Sequence, residues 1–312
     1  MWVLENFVGE RLTLTALLAY FPQHPWGVLP LVCGVLSLWH KRYSLAALNG
    51  GTLLFWAWAL MGVRWHQFPS AQGTVRVVTY NVSLRDSDAR LLAREISAVH
   101  PDIICLQESR RAYPSERDGE NNVGQLIWRR FPGWHLEEAG DTCILTRFPV
   151  RSSRSFPLRL TRKTLDVTVD TPRGPLRVLS THISTAFSGQ TRYNGLRQQI
   201  RGIIPNAQTA AQARLDQIEP LGAALDADST TPLVLCGDFN TPPRGLFYRF
   251  LRSRLHDGFA DAGNGLGQSF PARLPLLRID YVWTRGATMT SIRVAPQGVS
   301  DHRMVVADVA PH

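Results

Sequence analysis

The chain has 312 residues and a formal net charge of +9 at neutral pH, with 34 basic residues against 25 acidic ones. Its four cysteines show neither zinc-site spacing nor a disulfide framework, and the chain has no repeat or low-complexity tract, so a repeat protein, a disulfide scaffold and a zinc module are excluded. All but two of the basic residues are arginine. This favours a phosphate-rich partner or an anionic membrane surface, with a genome-wide bias toward arginine as the alternative.

The first 66 residues are largely apolar and differ in kind from the rest. Apolar runs at 12–39 and 43–62 flank the basic tripeptide His40-Lys41-Arg42. A membrane-crossing helix needs about 20 apolar residues, so the second run is predicted to span a bilayer. The first run spans as well if its prolines form a kink or a re-entrant break. We therefore predict a membrane anchor over 1–66 with two transmembrane helices, three short segments being the variant and buried core helices the alternative.

The charges near this anchor predict its orientation. By the positive-inside rule, the basic tripeptide between the two runs lies in the cytoplasm. The predicted localisation is integral to a bacterial inner or plasma membrane, with the large domain extracytoplasmic. Residues 67–73 read as a short polar linker, and residues 74–312 as one soluble domain of ordinary size.

Short apolar runs alternate with turns and helical stretches throughout the large domain. The predicted strands are 75–81, 103–106, 142–146, 153–156, 164–169, 176–181, 233–236, 279–283, 291–294 and 305–309. Thr171-Pro172-Arg173-Gly174 is typical of a hairpin turn. Strands joined both by helices and by hairpins predict an α/β sandwich of two packed sheets with helices outside.

Helices are predicted at 87–99 and 215–225, with a short helix after the polar loop at 114–123. A long connection at 186–214 carries several arginines. Connections of this length are often functional, so it is predicted to be a lid or a substrate-binding arm, with a solvated surface helix as an equal alternative.

Polar side chains collect at the ends of these predicted strands. The segments that carry them are Tyr80-Asn81, Gln107-Glu108, Thr181-His182, Gly237-Asp238-Phe239-Asn240, Ile279-Asp280-Tyr281 and Ser300-Asp301-His302. Strand ends are where an α/β scaffold gathers distant side chains into one cleft. The amides of Asn81 and Asn240, four carboxylates and two imidazoles together suit the binding of a hard divalent cation and the cleavage of a phosphate ester.

In this order, the six segments resemble the endonuclease/exonuclease/phosphatase superfamily, which includes DNase I-like nucleases, inositol polyphosphate 5-phosphatases and neutral sphingomyelinases. The resemblance extends over about 74–309. It implies a four-layer α/β sandwich, two packed mixed β-sheets flanked by helices, here preceded by the transmembrane helices. Residues 74–312 would then be the catalytic domain of a membrane-anchored member.

The metal is expected to be Mg²⁺, with Mn²⁺ as the alternative. Glu108 ends an apolar strand, where a carboxylate is costly unless something positive lies beside it. Hard oxygen ligands are what Mg²⁺ prefers, so Glu108 is the principal candidate ligand. Asn81 and Asp301 would complete or support this shell, directly or through water.

The remaining strand-end residues are predicted to be catalytic. Asp238 would take a proton from the attacking water, and Asn240 would orient that water or a phosphate oxygen; the resembled family uses these positions in this way. An Asx turn is the alternative for this pair. His302 and Asp280 would form an imidazole–carboxylate pair that binds phosphoryl oxygens, and His182 would face the phosphate from the other side.

The predicted function is metal-dependent phosphodiester hydrolysis by activated water at or near a membrane. No nucleophilic Ser or Cys motif and no GxxxxGK loop is present, so neither a covalent intermediate nor ATP is expected. The predicted partners are the lipid bilayer and a phosphate-ester substrate, either a lipid head group or nucleic acid, and the oligomeric state is open. A surface nuclease, a phosphomonoesterase and an inactive membrane scaffold are the alternatives; Trp128 and Trp134 could supply stacking surfaces to nucleic acid.

Overall fold

The computed structural model describes residues 2–66, 74–83, 88–110, 122–159, 162–184 and 207–312. Its strands are β1 (Val75–Asn81), β2 (Ile103–Gln107), β3 (His135–Ala139), β4 (Thr142–Thr146), β5 (Val150–Arg159), β6 (Arg162–Thr171), β7 (Gly174–His182), β8 (Leu233–Asp238), β9 (His256–Asp257), β10 (Asp280–Arg285), β11 (Ala287–Val294) and β12 (Val305–Pro311). They form two six-stranded sheets, with the orders β11-β12-β1-β2-β4-β3 and β5-β6-β7-β8-β10-β9. Both sheets are mixed, because β1 runs parallel to β2 and β7 parallel to β8.

Helices lie at the N-terminus and on the outer faces of the sheets. They are α1 (Trp2–Phe7), α2 (Thr13–Tyr20), α3 (Val28–Trp39), α4 (Tyr43–Phe55), α5 (Ala89–Ser97), α6 (Val123–Trp128), α7 (described over 207–215), α8 (Ile218–Asp226), α9 (Gly245–Arg252) and α10 (Gly258–Ala262). Short 3₁₀ turns precede α2 and α3, and a π-helical turn, Trp56–Leu60, continues α4.

The apolar alternation of the strands builds three packed layers of side chains. In β1, Val75 and Val77 face the core between the two sheets, whereas Val78 and Tyr80 pack outward against α5. This follows from the two-residue period of a strand. A third cluster joins the outer face of the second sheet to α8 and α9. The predicted α/β fold of two mixed sheets with outer helices is therefore confirmed.

Most strands were predictable, and the two missed strands have a common cause. Each of the ten predicted strands overlaps an observed one, and the predicted hairpin turn joins β6 to β7 with Thr171 opposite Gly174. The strands β3 and β9 were missed because neither contains an apolar run. The predicted linker at 67–73, the loop at 114–121 and residues 186–206 of the long connection lie outside the described residues, and 207–214 of that connection are helical.

The N-terminal segment differs from the predicted pair of spanning helices. Among residues 2–66 and the other described ranges, no helix is both long enough and apolar enough to cross a membrane. The run at 12–39 is divided into α2, a 3₁₀ turn and α3, because Pro25 lies at the start of that turn. The run at 43–62 forms α4, which continues directly into the π-helical turn. The prediction of transmembrane helices is therefore not supported.

Gly237 is the glycine on which the pairing of β7 with β8 depends. Its φ of +146° is nearly confined to glycine, and a Cβ there would collide with the carbonyl oxygen of Thr181 on the neighbouring strand β7. Glycine at this position therefore lets β7 and β8 pair in the register that sets His182 beside Asp238.

We expect Gly237→Ala to lower the free energy of unfolding by at least about 2 kcal/mol, through backbone strain and displacement of β7. Urea-induced unfolding measures this change. Gly133→Ala is the matched control, since Gly133 also has positive φ but no described atom lies within 4 Å of its would-be Cβ. An equal loss in the two variants would contradict the collision.

Candidate active site

Strand pairing brings the polar strand ends of the two sheets together. In the second sheet, Asp238 on β8 lies opposite His182 on β7 and opposite Asp280 on β10. In the first sheet, Asn81 at the end of β1 lies opposite Gln107, the residue before Glu108. The two sheets thus contribute their polar ends to one cleft.

Asp238 is the centre of this cluster and is 1% exposed. Its Oδ2 accepts hydrogen bonds from Asn81 Nδ2 at 3.0 Å and from Asn240 Nδ2 at 3.1 Å. The Nε2 atoms of His182 and His302 lie 3.5 and 3.8 Å from the same oxygen. Because a buried carboxylate needs such partners, Asp238 is held in one orientation with its charge compensated on all sides.

Asn240 forms an Asx turn and also directs its side-chain amide at the site, so both alternatives predicted for this position occur together. Its backbone N–H donates to Asp238 Oδ1 at 2.8 Å, which closes an Asx turn. Its side-chain amide also reaches Asp238 Oδ2 and lies 3.4 Å from His182 Nε2. The residue stands at φ +46°, in the left-handed region, rather than in extended backbone. The turn itself therefore directs the amide into the cleft.

His302 is paired with two carboxylates. Its Nδ1 lies 2.9 Å from Asp280 Oδ2, and the hydroxyl of Ser269 donates to that same oxygen at 2.6 Å. Burial lowers the pKa of His302, but the charges of Asp280 and Asp238 outweigh it and raise the pKa to about 10. The ring is therefore an imidazolium at neutral pH.

His182 has its own orienting carboxylate, Asp141. The Nδ1 atom of His182 lies 2.7 Å from Asp141 Oδ2. Burial raises the pKa of Asp141, but the facing imidazole more than offsets this and lowers the pKa below its usual value. With Nδ1 engaged in this way, Nε2 is directed toward Asp238, and also lies 4.0 Å from Glu108 Oε1.

Asp141 and Ser269 were not predicted from the sequence. Asp141 lies in the tight turn between β3 and β4, next to Gly140 at φ +62°. The hairpin was not predicted, because β3 has no apolar run. Ser269 lies in an irregular stretch before β10. An acid directly after glycine is a weak turn signal, and only the pairing of β3 with β4 brings it to His182.

Glu108 faces the open side of the cluster and fits a hard cation. Its φ of +54° is unusual for a residue with a side chain, and strained backbone of this kind is often found at functional sites. Its side chain is 41% exposed, and Asn81 Nδ2 approaches Oε1 only at 3.5 Å. Oxygen lone pairs therefore remain available for a divalent cation of the Mg²⁺ type.

Asp301, the third predicted ligand, is not hydrogen-bonded to Glu108 or Asn81 in the described part of the chain. Its carboxylate contacts the hydroxyl of Ser300 at 3.3 Å, and its backbone oxygen accepts from Ala272. It is exposed and borders a cleft of about 580 Å³, whose walls include Arg273 and Leu274. Asp301 therefore lies at the rim of the site.

Asp238, Asp280 and His302 form a second group that could hold a cation, since their donor atoms lie within 4.8 Å of one another. All three are buried. However, Asp238 already accepts bonds from two amides, and His302 is held protonated by its neighbours, so this group is less suited to a metal than Glu108.

The chain is similar to known proteins in sequence and in fold. The sequence model of the Endonuclease/Exonuclease/phosphatase family matches residues 78–302. No curated protein with which the sequence was compared matches it.

Solved structures of this fold are similar to the chain at low sequence identity. An endonuclease/exonuclease/phosphatase from Beutenbergia cavernae DSM 12333 has a TM-score of 0.56 and 20% identity, over 77% of this chain and 72% of its own. D. rerio TDP2 complexed with a single-strand DNA product has a TM-score of 0.54 and 15% identity, over 76% and 99%. The human Nocturnin catalytic domain with bound sulfate has 0.53 and 19%, over 78% and 97%. These likenesses show the fold.

We expect Asp280→Asn to lower the pKa of His302, because the variant removes the nearest of the charges that raise it. NMR titration of the imidazole in metal-free protein measures the change. Asp261→Asn is the control, since Asp261 lies near the exposed His256 instead. A pKa of His302 that stays near 10 in Asp280→Asn would contradict this account of its charge.

Proposed function

Since the chain belongs to the endonuclease/exonuclease/phosphatase family, whose members hydrolyse phosphoesters and generally use divalent metal ions, we propose that it is a Mg²⁺-dependent phosphodiesterase. The observation that supports this most is the buried Asp238 carboxylate between two amides and two imidazoles. Across the cleft, Glu108 provides an open anionic site. A proton acceptor that faces a cation site across one cleft suits attack by water on a phosphate ester.

In the proposed reaction, Asp238 accepts the proton of the attacking water, and the Asn240 amide orients that water or a phosphoryl oxygen. The imidazolium of His302 compensates negative charge on the phosphoryl oxygens, and Asp280 keeps that ring protonated. His182, held by Asp141, faces the phosphate from the other side and stabilises or protonates the leaving oxygen. All of these groups are fixed before substrate binds, which lowers the reorganisation needed during the reaction.

The cation would be held by Glu108 and Asn81, with Asp301 at the rim in support. When bound, Mg²⁺ would polarise the phosphate and compensate charge on the leaving oxygen. Glu108 is suited to this task because its carboxylate is open on one side and its strained backbone directs it into the cleft. Mn²⁺ prefers the same carboxylate and amide oxygens and would be an alternative.

We further propose that residues 2–66 bring the enzyme to a lipid surface. Large exposed apolar side chains are concentrated there: of all those in the described residues, only Leu91, Leu126, Trp128 and Leu274 lie elsewhere. Exposed apolar patches of such extent mark interaction surfaces. Trp39 and Trp58 are 82% and 64% exposed, and indole rings favour the membrane interface. A lipid phosphodiester is therefore the substrate class we favour.

A nuclease is the second candidate. D. rerio TDP2, similar in fold, has been seen with a single-strand DNA product, and the arginine-rich composition suits nucleic acid. The predicted stacking surface is less favourable, because Trp134 packs on the ring of Phe131 at 5.0 Å and its carbonyl accepts the indole N–H of Trp128. Both tryptophans are thus partly engaged within the protein.

We expect Asp238→Asn to lower kcat on a phosphodiester at least about 100-fold, because the variant cannot accept the water proton. Glu108→Gln should raise the Mg²⁺ concentration for half-maximal activity at least about tenfold, because a ligand charge is lost. Glu219→Gln, an exposed acid on α8, is the control for both and should change neither quantity.

The assay uses bis(p-nitrophenyl) phosphate, plasmid DNA, mixed phospholipid micelles and p-nitrophenyl phosphate in parallel. Release of lipid head groups supports the favoured substrate, whereas nicked DNA with intact lipid assigns the protein as a nuclease. Hydrolysis of the monoester alone assigns a phosphomonoesterase. Full activity of Asp238→Asn would refute the mechanism, and activity on none of these would favour an inactive scaffold.

We expect vesicles of brominated phosphatidylcholine and phosphatidylglycerol to quench the tryptophan fluorescence of the full chain. Trp39→Phe should reduce the quenched fraction, because this ring would lie at the lipid surface. Trp128→Phe is the control, because Trp128 lies at the end of α6, outside residues 2–66. Quenching that is absent, or reduced only by the control, would refute the lipid surface.

A further inference from the structure

Asn240 lies in the left-handed backbone region, with a φ of +46°. Asn tolerates this region better than other residues with a Cβ, and the contacts around it hold it there. Two of these contacts belong to the site itself, namely those with Asp238 Oδ1 and the carbonyl of Ile183. The others act on the next residue, Thr241.

Thr241 is held from two sides. The hydroxyl of Tyr281, on β10, donates to its backbone carbonyl at 2.8 Å. The hydroxyl of Tyr20, at the end of α2, lies 3.1 Å from Thr241 Oγ1. Burial raises the pKa of Tyr20, so this hydroxyl keeps its proton. The N-terminal segment thus reaches the residue directly after Asn240, although 221 positions separate the hydrogen-bonded partners.

Arg244 makes a second connection between the same two parts of the chain. Its Nε donates to the carbonyl of Ala19 at 2.6 Å, and its Nη1 donates to the carbonyl of Leu60 at 3.2 Å. Ala19 precedes the α3–α4 helical pair and Leu60 follows it, so one buried guanidinium joins both ends of that pair. The stretch from Asn240 to Arg244 contains Pro242 and Pro243, whose fixed φ angles stiffen the connection.

Glu10 completes the contact. Its Oε2 accepts the N–H of Leu246 at 2.7 Å, in the first turn of α9. A carboxylate at this end of a helix satisfies a free N–H and interacts favourably with the helix dipole. Gly245 has φ +89°, and a Cβ there would stand 2.5 Å from Glu10 Oε1. The two segments are therefore in close contact along the whole stretch that follows Asn240.

We propose that the N-terminal segment, residues 2–66, acts as a brace that holds the loop from Asn240 to Arg244 in place. Tyr20 and Arg244 are the positioning residues, and they keep the side chain of Asn240 directed toward Asp238. The brace rests on the proposed function, since it serves a reaction in which Asn240 acts. Neither residue touches the substrate. Through Arg244 the brace also links the lipid-facing helices α3 and α4 to the loop that carries Asn240.

The first test is Tyr20→Phe, which removes the hydroxyl and keeps the ring that packs over Arg214. We expect kcat on bis(p-nitrophenyl) phosphate to fall about fivefold, the effect of one lost hydrogen bond. KM and the Mg²⁺ requirement should stay within about twofold, because Glu108 is untouched. Tyr248→Phe, which removes a hydroxyl that donates to Asp257 instead, is the matched control and should leave kcat unchanged.

A double-mutant cycle separates positioning from general packing. Thr241→Val removes the partner hydroxyl, so the double variant Tyr20→Phe/Thr241→Val should be no slower than the slower single variant. Arg244→Lys keeps the positive charge but lacks the guanidinium that donates to the carbonyls of both Ala19 and Leu60. This variant should therefore also lower kcat without raising KM. Additive losses in the cycle, or a lower melting temperature with unchanged kcat, would overturn the brace.

Hydrogen exchange of the metal-free protein tests the brace without any activity. Tyr20→Phe should speed amide exchange in a peptide that covers 237–244 and leave β2 unchanged, because the loop behind Asn240 loses a contact. Unchanged exchange at 237–244 would overturn the brace. If the wild-type protein hydrolysed no phosphoester, the proposed function would fail, whereas the exchange result would still decide whether the segment holds the loop.

Discussion

The structure depends on one buried charge, the carboxylate of Asp238. Burying an ionised carboxylate is costly unless donors surround it, and here Asn81, Asn240, His182 and His302 all approach the same oxygen. The donors come from both sheets, so the face-to-face packing of the sheets is what brings the site together. The side-chain-free Gly237 and the left-handed Asn240 on either side of Asp238 serve the same arrangement.

The sequence predicts those residues of the site that lie at the ends of buried strands. Strand ends are visible because apolar runs stop at polar residues, and Glu108, Asp238 and Asp280 were found in this way. The pairing registers that set Asp238 against His182 and Asp280 were not predictable, since they depend on contacts between distant strands. Asp141 and Ser269 were missed because the segments that carry them lack apolar periodicity. Asp301 stays a predicted ligand, exposed and with no hydrogen bond to Glu108 or Asn81 among the described residues.

The N-terminal segment shows why apolar composition alone is a limited guide. The apolar runs at 12–39 and 43–62 predict membrane spans because they are long and nearly uncharged, but proline divides the first run into α2, a 3₁₀ turn and α3. The few polar groups among them are the informative ones. Tyr20 and, just before these runs, Glu10 are buried against the segment that follows Asn240, and the backbone carbonyl of Gln23 accepts the indole N–H of Trp56. The same segment thus exposes apolar side chains and also contacts the domain formed by the two sheets.

The central claim is that the proton acceptor and the cation occupy different sides of one cleft. Anomalous scattering from crystals of the protein grown with Mn²⁺ tests this most directly, because it locates the cation without reference to a substrate. The account predicts a peak at the carboxylate of Glu108, with Asp238 not among the ligands. A peak between Asp238, Asp280 and His302 would contradict it, because Asp238 would then be a ligand rather than the acceptor of the water proton.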